Sequence, residues 1–229
     1  MFLYVKLRGS SYFLYICLII SFIIKFFIKN LVDIFIYGIF IPYIMFAMRK
    51  SLELSLTALL VGLSVLFRYA KNVFTTVQFV NFPLVFCIFS GLFFGSRVGF
   101  AVGFLSYVIS DFLILPGVWT FVNSLLAGLI GLLWGILGKR FIRYRIEFFV
   151  LVFLSVFLFD IASSVILYLI FGFSLLDAFV WGVVGLFLPV FGGRLIGVGP
   201  ITEASTSFIV CFLSWELEKR GVYVGEEKV

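Results

Sequence analysis

The sequence contains no histidine, and this absence removes a large class of chemistry. Histidine is the usual acid–base group at neutral pH, and its imidazole is the commonest metal ligand in proteins. Neither a Ser-His-Asp triad nor a Cys-His pair can be built without it. We therefore expect a protein that is not an enzyme and that needs no metal or cofactor.

Two further absences concern paired thiols and nucleotide binding. The phosphate-binding loop of ATPases is missing, because Gly138-Lys139 is followed by Arg140 and Leu133 stands where that loop has its first glycine. Any ATP-driven process would need partner chains. The three cysteines form no Cys-x-x-Cys pair, and we interpret them as small buried apolar residues: Cys17, Cys87 and Cys211.

Charged residues are scarce as well. They make up 12% of the chain, whereas 64% is hydrophobic and the mean hydropathy is +1.27. This composition excludes a soluble globular domain, a disordered segment and a disulfide scaffold. A helix needs about 20 residues to cross a bilayer, so the chain has room for roughly eight crossings. We predict an all-α polytopic membrane bundle.

The apolar runs are continuous rather than alternating, which favours helices over barrel strands. The segment 174–190 is apolar but short, and breaker residues follow it, so we interpret it as re-entrant or as part of a long outer loop. The predicted spans are 11–29, 31–48, 52–69, 79–95, 97–115, 119–138, 148–172 and 201–218.

The basic residues predict the orientation of these spans. Lysine and arginine gather on the cytoplasmic side of membrane proteins. A cytoplasmic N-terminus leaves all but five of the 17 basic residues inside, and the run Lys139–Arg145 is the strongest marker. We therefore expect both termini in the cytoplasm of a multi-pass cell-membrane protein. The five on the outer side are Lys25, Lys29, Arg68, Lys71 and Arg194.

A change in composition divides the chain near Arg49-Lys50. The first two spans are rich in Ile, Phe and Tyr, whereas glycine and alanine recur afterwards. We predict an N-terminal two-helix membrane segment (1–49), a six-helix substrate-binding core (50–220) and a short charged tail (221–229). Small residues at spacings of three or four recur in the core and indicate close helix packing, as at Gly91, Gly95, Gly99 and Gly103.

Polar residues within the spans are costly in a membrane and are therefore candidates for a site. Most of them gather at the predicted outer ends of the core helices, with aromatic residues beside them, whereas Asp160 lies deeper. This arrangement predicts a polar pocket that opens outward. The candidate substrate-binding residues are Arg68, Lys71, Phe79, Asn81, Tyr107, Asp111, Trp119, Asn123, Asp160 and Glu203.

Structural roles are the alternatives for several of these residues. Asp111 could form an internal ion pair with Arg68 or Lys71. Asn81 could cap the helix that begins before Pro83. An acid near a helix N-terminus, such as Glu203, suits the helix dipole. The tryptophan and phenylalanine side chains could be interface anchors or packing residues.

Several short motifs stand in the order and spacing typical of one membrane-protein family. The most telling is Gly95-Ser96-Arg97-Val98-Gly99, in the turn between the second and third core helices. The others are Leu-Thr-Ala-Leu-Leu (56–60), Gln-Phe-Val-Asn-Phe-Pro (78–83), Ser-Asp-Phe-Leu (110–113) and Pro-Gly-Val-Trp-Thr (116–120). With these motifs, residues 51–218 resemble the substrate-binding S component of energy-coupling factor (ECF) transporters.

The resemblance implies a six-helix protein that captures a vitamin or a related micronutrient from outside. It implies three partners, namely a transmembrane coupling protein and two ATPases, on which the loaded protein topples to release its cargo inside. The family docks through an Ala-xxx-Ala face of its first helix, to which Ala58 and Gly62 correspond. The resemblance also implies that the segment at about 70–78 acts as a lid. The cobalt and nickel branch uses a histidine motif that this sequence lacks.

Two other functions stay open on the residues alone. A structural or assembly protein would need the packing glycines but no ligand. An intramembrane enzyme would need a cluster of acid–base groups or a metal, for which the sequence offers no candidate. The identity of the substrate is open as well, because the candidate residues could bind many polar heterocycles.

Overall fold

The computed structural model describes residues 41–75, 77–187, 190–192, 195–197 and 199–219. Within these ranges the chain is a helical bundle with one small sheet, which confirms the predicted all-α membrane fold. The span predicted at 11–29, most of that at 31–48 and the tail at 221–229 lie outside the described residues. The helices are α1 (Ile41–Phe74), α2 (Phe82–Phe94), α3 (Ser96–Ile114), α4 (Val118–Leu137), α5 (Arg145–Ile170), α6 (Leu175–Phe187) and α7 (Gly199–Lys219).

Four helical stretches in the described part of the chain are long and apolar enough to cross a membrane: Lys50–Phe74, Ser96–Ile114, Val118–Arg140 and Arg145–Ile170. Helices α2 and α6 are apolar but have only 13 residues each, a length of about 20 Å. Helix α7 is more polar because its buried face carries hydroxyl and carboxyl side chains, among them Thr202, Glu203 and Thr206.

The chain divides into two compact units, Met1–Leu52 and Glu53–Val229. Of the first unit the structure describes residues 41–52, which are helical. Helix α1 continues through Arg49-Lys50, where the sequence predicted separate spans at 31–48 and 52–69. No glycine or proline lies between Pro42 and Gly62 to end the helix, so it runs on. The three-part division into residues 1–49, 50–220 and 221–229 stays a prediction.

Within the segment 174–190, residues Leu175–Phe187 form the short helix α6. Its middle lies against α5, where Gly182 contacts Val165, and its C-terminal end lies beside the start of α7, since the Leu186 carbonyl is next to Gly199. The helix therefore stays at the end of the bundle where α5 ends and α7 begins. That the segment is re-entrant or part of an outer loop stays a prediction.

A three-stranded sheet lies in stretches for which turns were expected. Strand β1 (Val77–Gln78) runs parallel to β3 (Leu195–Gly197), and β2 (Val190–Gly192) pairs with β3 in antiparallel register. The strand order is β1-β3-β2. This sheet links the segment after α1 to the glycine-rich segment before α7. The strands have two or three residues each, too few for a periodic pattern to predict them.

Glycines allow α2, α3 and α4 to pack backbone against backbone. A Cβ atom on Gly99 of α3 would lie 2.4 Å from the Gly131 carbonyl oxygen of α4, and one on Gly91 of α2 would lie 2.2 Å from the same atom. Gly95 alone joins α2 to α3, with φ at 95°, a conformation that glycine adopts readily. We call this contact of Gly91, Gly99 and Gly131 the glycine seam.

Replacing Gly99 with alanine should destabilise the protein, because the new methyl group meets fixed backbone atoms rather than a mobile side chain. We expect a loss of about 1–3 kcal/mol in the free energy of unfolding, measured by thermal unfolding in detergent. Gly62→Ala is the matched control, since a Cβ atom there meets nothing within 4 Å. Equal stability of the two variants would contradict the packing role of the seam.

Candidate functional site

An ion pair connects α1 to α3 near one end of the bundle. The guanidinium of Arg68 lies 2.7 Å from the Asp111 carboxylate, and these side chains are only 19% and 3% exposed. Arg68 also donates a hydrogen bond to the Ser110 hydroxyl and lies 4.9 Å from the centre of the Tyr107 ring. The ion pair considered as an alternative role for Asp111 is therefore present. One carboxylate oxygen, Oδ2, still has no hydrogen-bond partner among the described residues.

Tyr107 extends this contact to two more helices. Its hydroxyl donates a 2.9 Å hydrogen bond to Oδ1 of Asn81, and its ring stacks on Phe159 of α5 at 5.5 Å. The backbone N–H of Asn81 donates to the Thr206 hydroxyl of α7 at 2.9 Å. Asn81 also caps α2, because its Oδ1 accepts from the backbone N–H of Leu84 at 3.5 Å. We call Arg68, Asn81, Tyr107 and Asp111 the polar network.

Two further carboxylates lie beside the polar network. Glu203 of α7 is completely buried, and neither of its carboxylate oxygens has a hydrogen-bond partner within the described ranges. Asp160 of α5 is close enough to Glu203 and to Tyr107 for their charges to interact. Asp111 and Asp160 therefore lie near Tyr107, Glu203 lies near Asp160, and Arg68 pairs with Asp111. An arrangement of this kind offers hydrogen-bond acceptors that the protein itself does not use.

The structure does not bring the other candidate residues into this network. Phe79 is 48% exposed, and its backbone carbonyl accepts a hydrogen bond from the Ser205 hydroxyl. The Trp119 indole lies against the loop that precedes α4, and its N–H donates a 3.2 Å hydrogen bond to the Leu115 carbonyl. Asn123 accepts a hydrogen bond from Ser163, which joins α4 to α5.

Lys71 lies one turn after Arg68 and is half-buried, close enough for the two positive charges to interact. The segment 70–78, implied to be a lid, is mostly regular structure, since α1 extends to Phe74 and β1 follows it. The Gln78 carbonyl accepts a hydrogen bond from the Thr202 hydroxyl, which ties this segment to the first turn of α7.

Sequence reasoning missed two residues that contact the candidate residues. Phe159 supports the Tyr107 ring, and Ser163 is the partner of Asn123. Ser163 lies three residues after Asp160, on the same side of a helix, so the helical period could have found it. Nothing in the sequence around Phe159 distinguishes it from the many other phenylalanines of the chain.

The residues aligned with the family's docking face lie on an exposed side of α1. Ala58 and Gly62 are both exposed, and the space beside Gly62 is open. No group of three or more histidine, cysteine, aspartate or glutamate side chains with the geometry of a metal site occurs among the described residues.

A comparison with known families identifies the family of the chain. The model of the family described as "ECF-type riboflavin transporter, S component" matches residues 48–204. The chain belongs to this family. No curated protein and no solved structure gives a significant match. The polar network and Glu203 all lie inside the matched range, so this S component carries its candidate site within the family core. It is a membrane-embedded substrate-binding subunit of a transporter.

Replacing Asp111 with asparagine should destabilise this S component, because Arg68 would keep a largely buried charge without its partner. We expect a loss of about 3 kcal/mol in the free energy of unfolding, read from thermal unfolding in detergent. The double variant Arg68→Gln/Asp111→Asn should lose less than the sum of the single variants.

The matched control is Asp177→Asn, the same change at an exposed position of α6. It should cost less than about 1 kcal/mol, because it alters only an exposed helix cap, in which the Asp177 carboxylate accepts a 2.7 Å hydrogen bond from the Ser174 hydroxyl. Additive losses in the double variant would show that the contact between Arg68 and Asp111 does not couple α1 to α3.

Proposed function

We propose that this S component captures a flavin of the riboflavin class at the polar network and delivers it to an ATP-driven coupling module. The observation that carries the proposal is Glu203, a completely buried acid with both carboxylate oxygens available to accept hydrogen bonds. Asp111 adds a second buried carboxylate at the same end of the bundle, although Arg68 and Thr120 already interact with it. A ligand that fits such a site must bring hydrogen-bond donors.

Riboflavin brings donors of the right kind. Its sugar-alcohol chain carries several hydroxyl groups, and one edge of its flat ring carries an N–H group. Hydrogen bonds from these groups to a buried carboxylate are stronger than bonds between neutral partners. Phe79, half-exposed at the same end of the bundle, offers an aromatic surface for the ring. The family description supports the same ligand class.

The orientation follows from the charges at the two ends of the bundle. Arg97, Lys139 and Arg140 are exposed at the α2–α3 and α4–α5 turns, at the end opposite the polar network. The positive-inside rule puts these turns in the cytoplasm. The polar network then faces outward, where a substrate arrives, and both termini lie inside.

The coupling module docks on the exposed face of α1 in this proposal. Small residues let another helix approach closely in a membrane, where apolar area gives no driving force for association. Ala58 and Gly62 lie one turn apart and are both exposed. The partners would be the transmembrane coupling protein and two ATPases, which supply the nucleotide site that this sequence lacks.

Replacing Glu203 with glutamine should weaken riboflavin binding about tenfold or more, because the amide has one acceptor oxygen and no charge. Binding is measured by the quenching of riboflavin fluorescence as protein is added. Glu147→Gln, the same change at an exposed position of α5, should bind like the wild type. Unchanged affinity in the Glu203→Gln protein would remove this acid from the site, and a folded wild type that does not bind riboflavin would overturn the ligand class.

Replacing Gly62 with leucine should abolish co-purification with the coupling protein and the ATPases, because the bulky side chain keeps the partner helix away. Riboflavin binding should persist. Gly185→Leu is the matched control, since a Cβ atom on Gly185 of α6 also meets nothing within 4 Å. Co-purification of the Gly62→Leu protein at the wild-type level would exclude this face as the docking site.

A further inference from the structure

A cluster of positive charge lies at the turn between α4 and α5, far from the polar network. The turn begins as a single 3-10 helix at Gly138–Arg140. We call its four exposed basic residues the basic turn, and they fall within seven positions of the chain: Lys139, Arg140, Arg143 and Arg145. Arg145 is partly engaged, because its guanidinium lies 5.5 Å from the centre of the Trp215 ring. The other three remain available to a ligand of opposite charge.

An apolar groove leads away from the basic turn between α4 and α5. Near the turn it is lined by Leu133, Trp134, Leu137, Phe141, Leu151 and Ser155. A second cleft shares Leu133, Trp134 and Ser155 with it and continues to Leu126 and Ala162. At the rise of an α-helix, the path along α4 from Leu126 to Leu137 is about 16 Å, close to the length of a phospholipid acyl chain. Gly138 and Phe141 line the groove and flank the pair Lys139-Arg140 in the chain.

The polar groups on the floor of the groove are already satisfied. The Ser155 hydroxyl donates to the Leu151 carbonyl at 2.8 Å and accepts from the Trp134 indole N–H at 3.1 Å. Among the described residues that line it, the groove therefore offers hydrocarbon surface, and its Trp134 and Ser155 side chains already bond to each other. Leu133 and Leu158 beside it are 51% and 60% exposed, so it opens on the side of the bundle that faces lipid.

We propose that the groove and the basic turn together bind an anionic phospholipid. An acyl chain lies in the groove, and the phosphate group meets Lys139, Arg140 and Arg143 at the membrane surface. Arginine suits this role because its planar guanidinium donates two parallel hydrogen bonds to phosphate. An acidic protein surface would match the charge but not the apolar groove that runs directly into it, so the combination favours a lipid.

The test uses Trp134 as a reporter from inside the groove. The full-length protein with Trp119→Phe, Trp181→Phe and Trp215→Phe keeps Trp134 as its one tryptophan. It is placed in two sets of phosphatidylcholine vesicles. One set contains a fixed fraction of phosphatidylglycerol with brominated chains, and the other contains the same fraction of phosphatidylcholine with brominated chains. Bromine quenches tryptophan fluorescence on contact. Each basic residue near an anionic lipid contributes a preference of about fivefold. We therefore expect the quenching ratio, brominated phosphatidylglycerol over brominated phosphatidylcholine, to reach at least that value.

The double variant Arg140→Gln/Arg143→Gln should bring this ratio close to one. Arg97→Gln removes an exposed charge from the α2–α3 turn instead and should keep most of the preference. Native mass spectrometry of the wild type repeats the comparison without the tryptophan changes, by counting phosphatidylglycerol adducts that survive detergent. Equal quenching by the two probes would overturn the proposal and leave the basic turn to an acidic protein surface. If the Arg97→Gln protein lost as much of the quenching ratio as the double variant, the preference would be a general effect of surface charge, and the proposal would be overturned.

Discussion

A charged side chain inside a membrane protein needs a partner, and the pair Arg68–Asp111 meets this demand between α1 and α3. The contact is not isolated, because Arg68 also lies over the Tyr107 ring and Tyr107 bonds to Asn81. Through these few groups, helices from distant parts of the sequence share one polar centre. Removal of one member leaves the others buried without compensation, so the network holds its helices together as a unit.

Two different kinds of contact hold the helices of the bundle core together. Helices α2, α3 and α4 approach until their backbones touch along the glycine seam, which needs no polar group at all. The site instead lies where α1, α5 and α7 meet α2 and α3, and hydroxyl, amide and carboxyl groups make the contacts there. The close-packed helices of the glycine seam therefore support the polar network. This arrangement suits a protein that binds its substrate within a membrane.

The sequence predicted the helices well, because long apolar runs with few breakers leave little choice of structure. It also predicted that Arg68, Asn81, Tyr107 and Asp111 belong to one end, since topology alone puts them there. It could not predict which of them touch. Trp119 and Asn123 are also predicted near the outer end, yet the Trp119 indole bonds to the Leu115 carbonyl and Asn123 bonds to Ser163. The continuity of α1 was missed because a pair of basic residues resembles the end of a span, whereas a helix tolerates such a pair in its interior.

Glu203 has a thermodynamic consequence for transport. An acid without hydrogen bonds in the interior raises the free energy of the empty protein. A molecule that donates to this acid removes that penalty, and it therefore stabilises the loaded form by more than its own contacts with the rest of the site. Under the proposed function, the empty and the loaded carrier therefore differ in stability, although the same glycine seam and polar network hold the helices together in both.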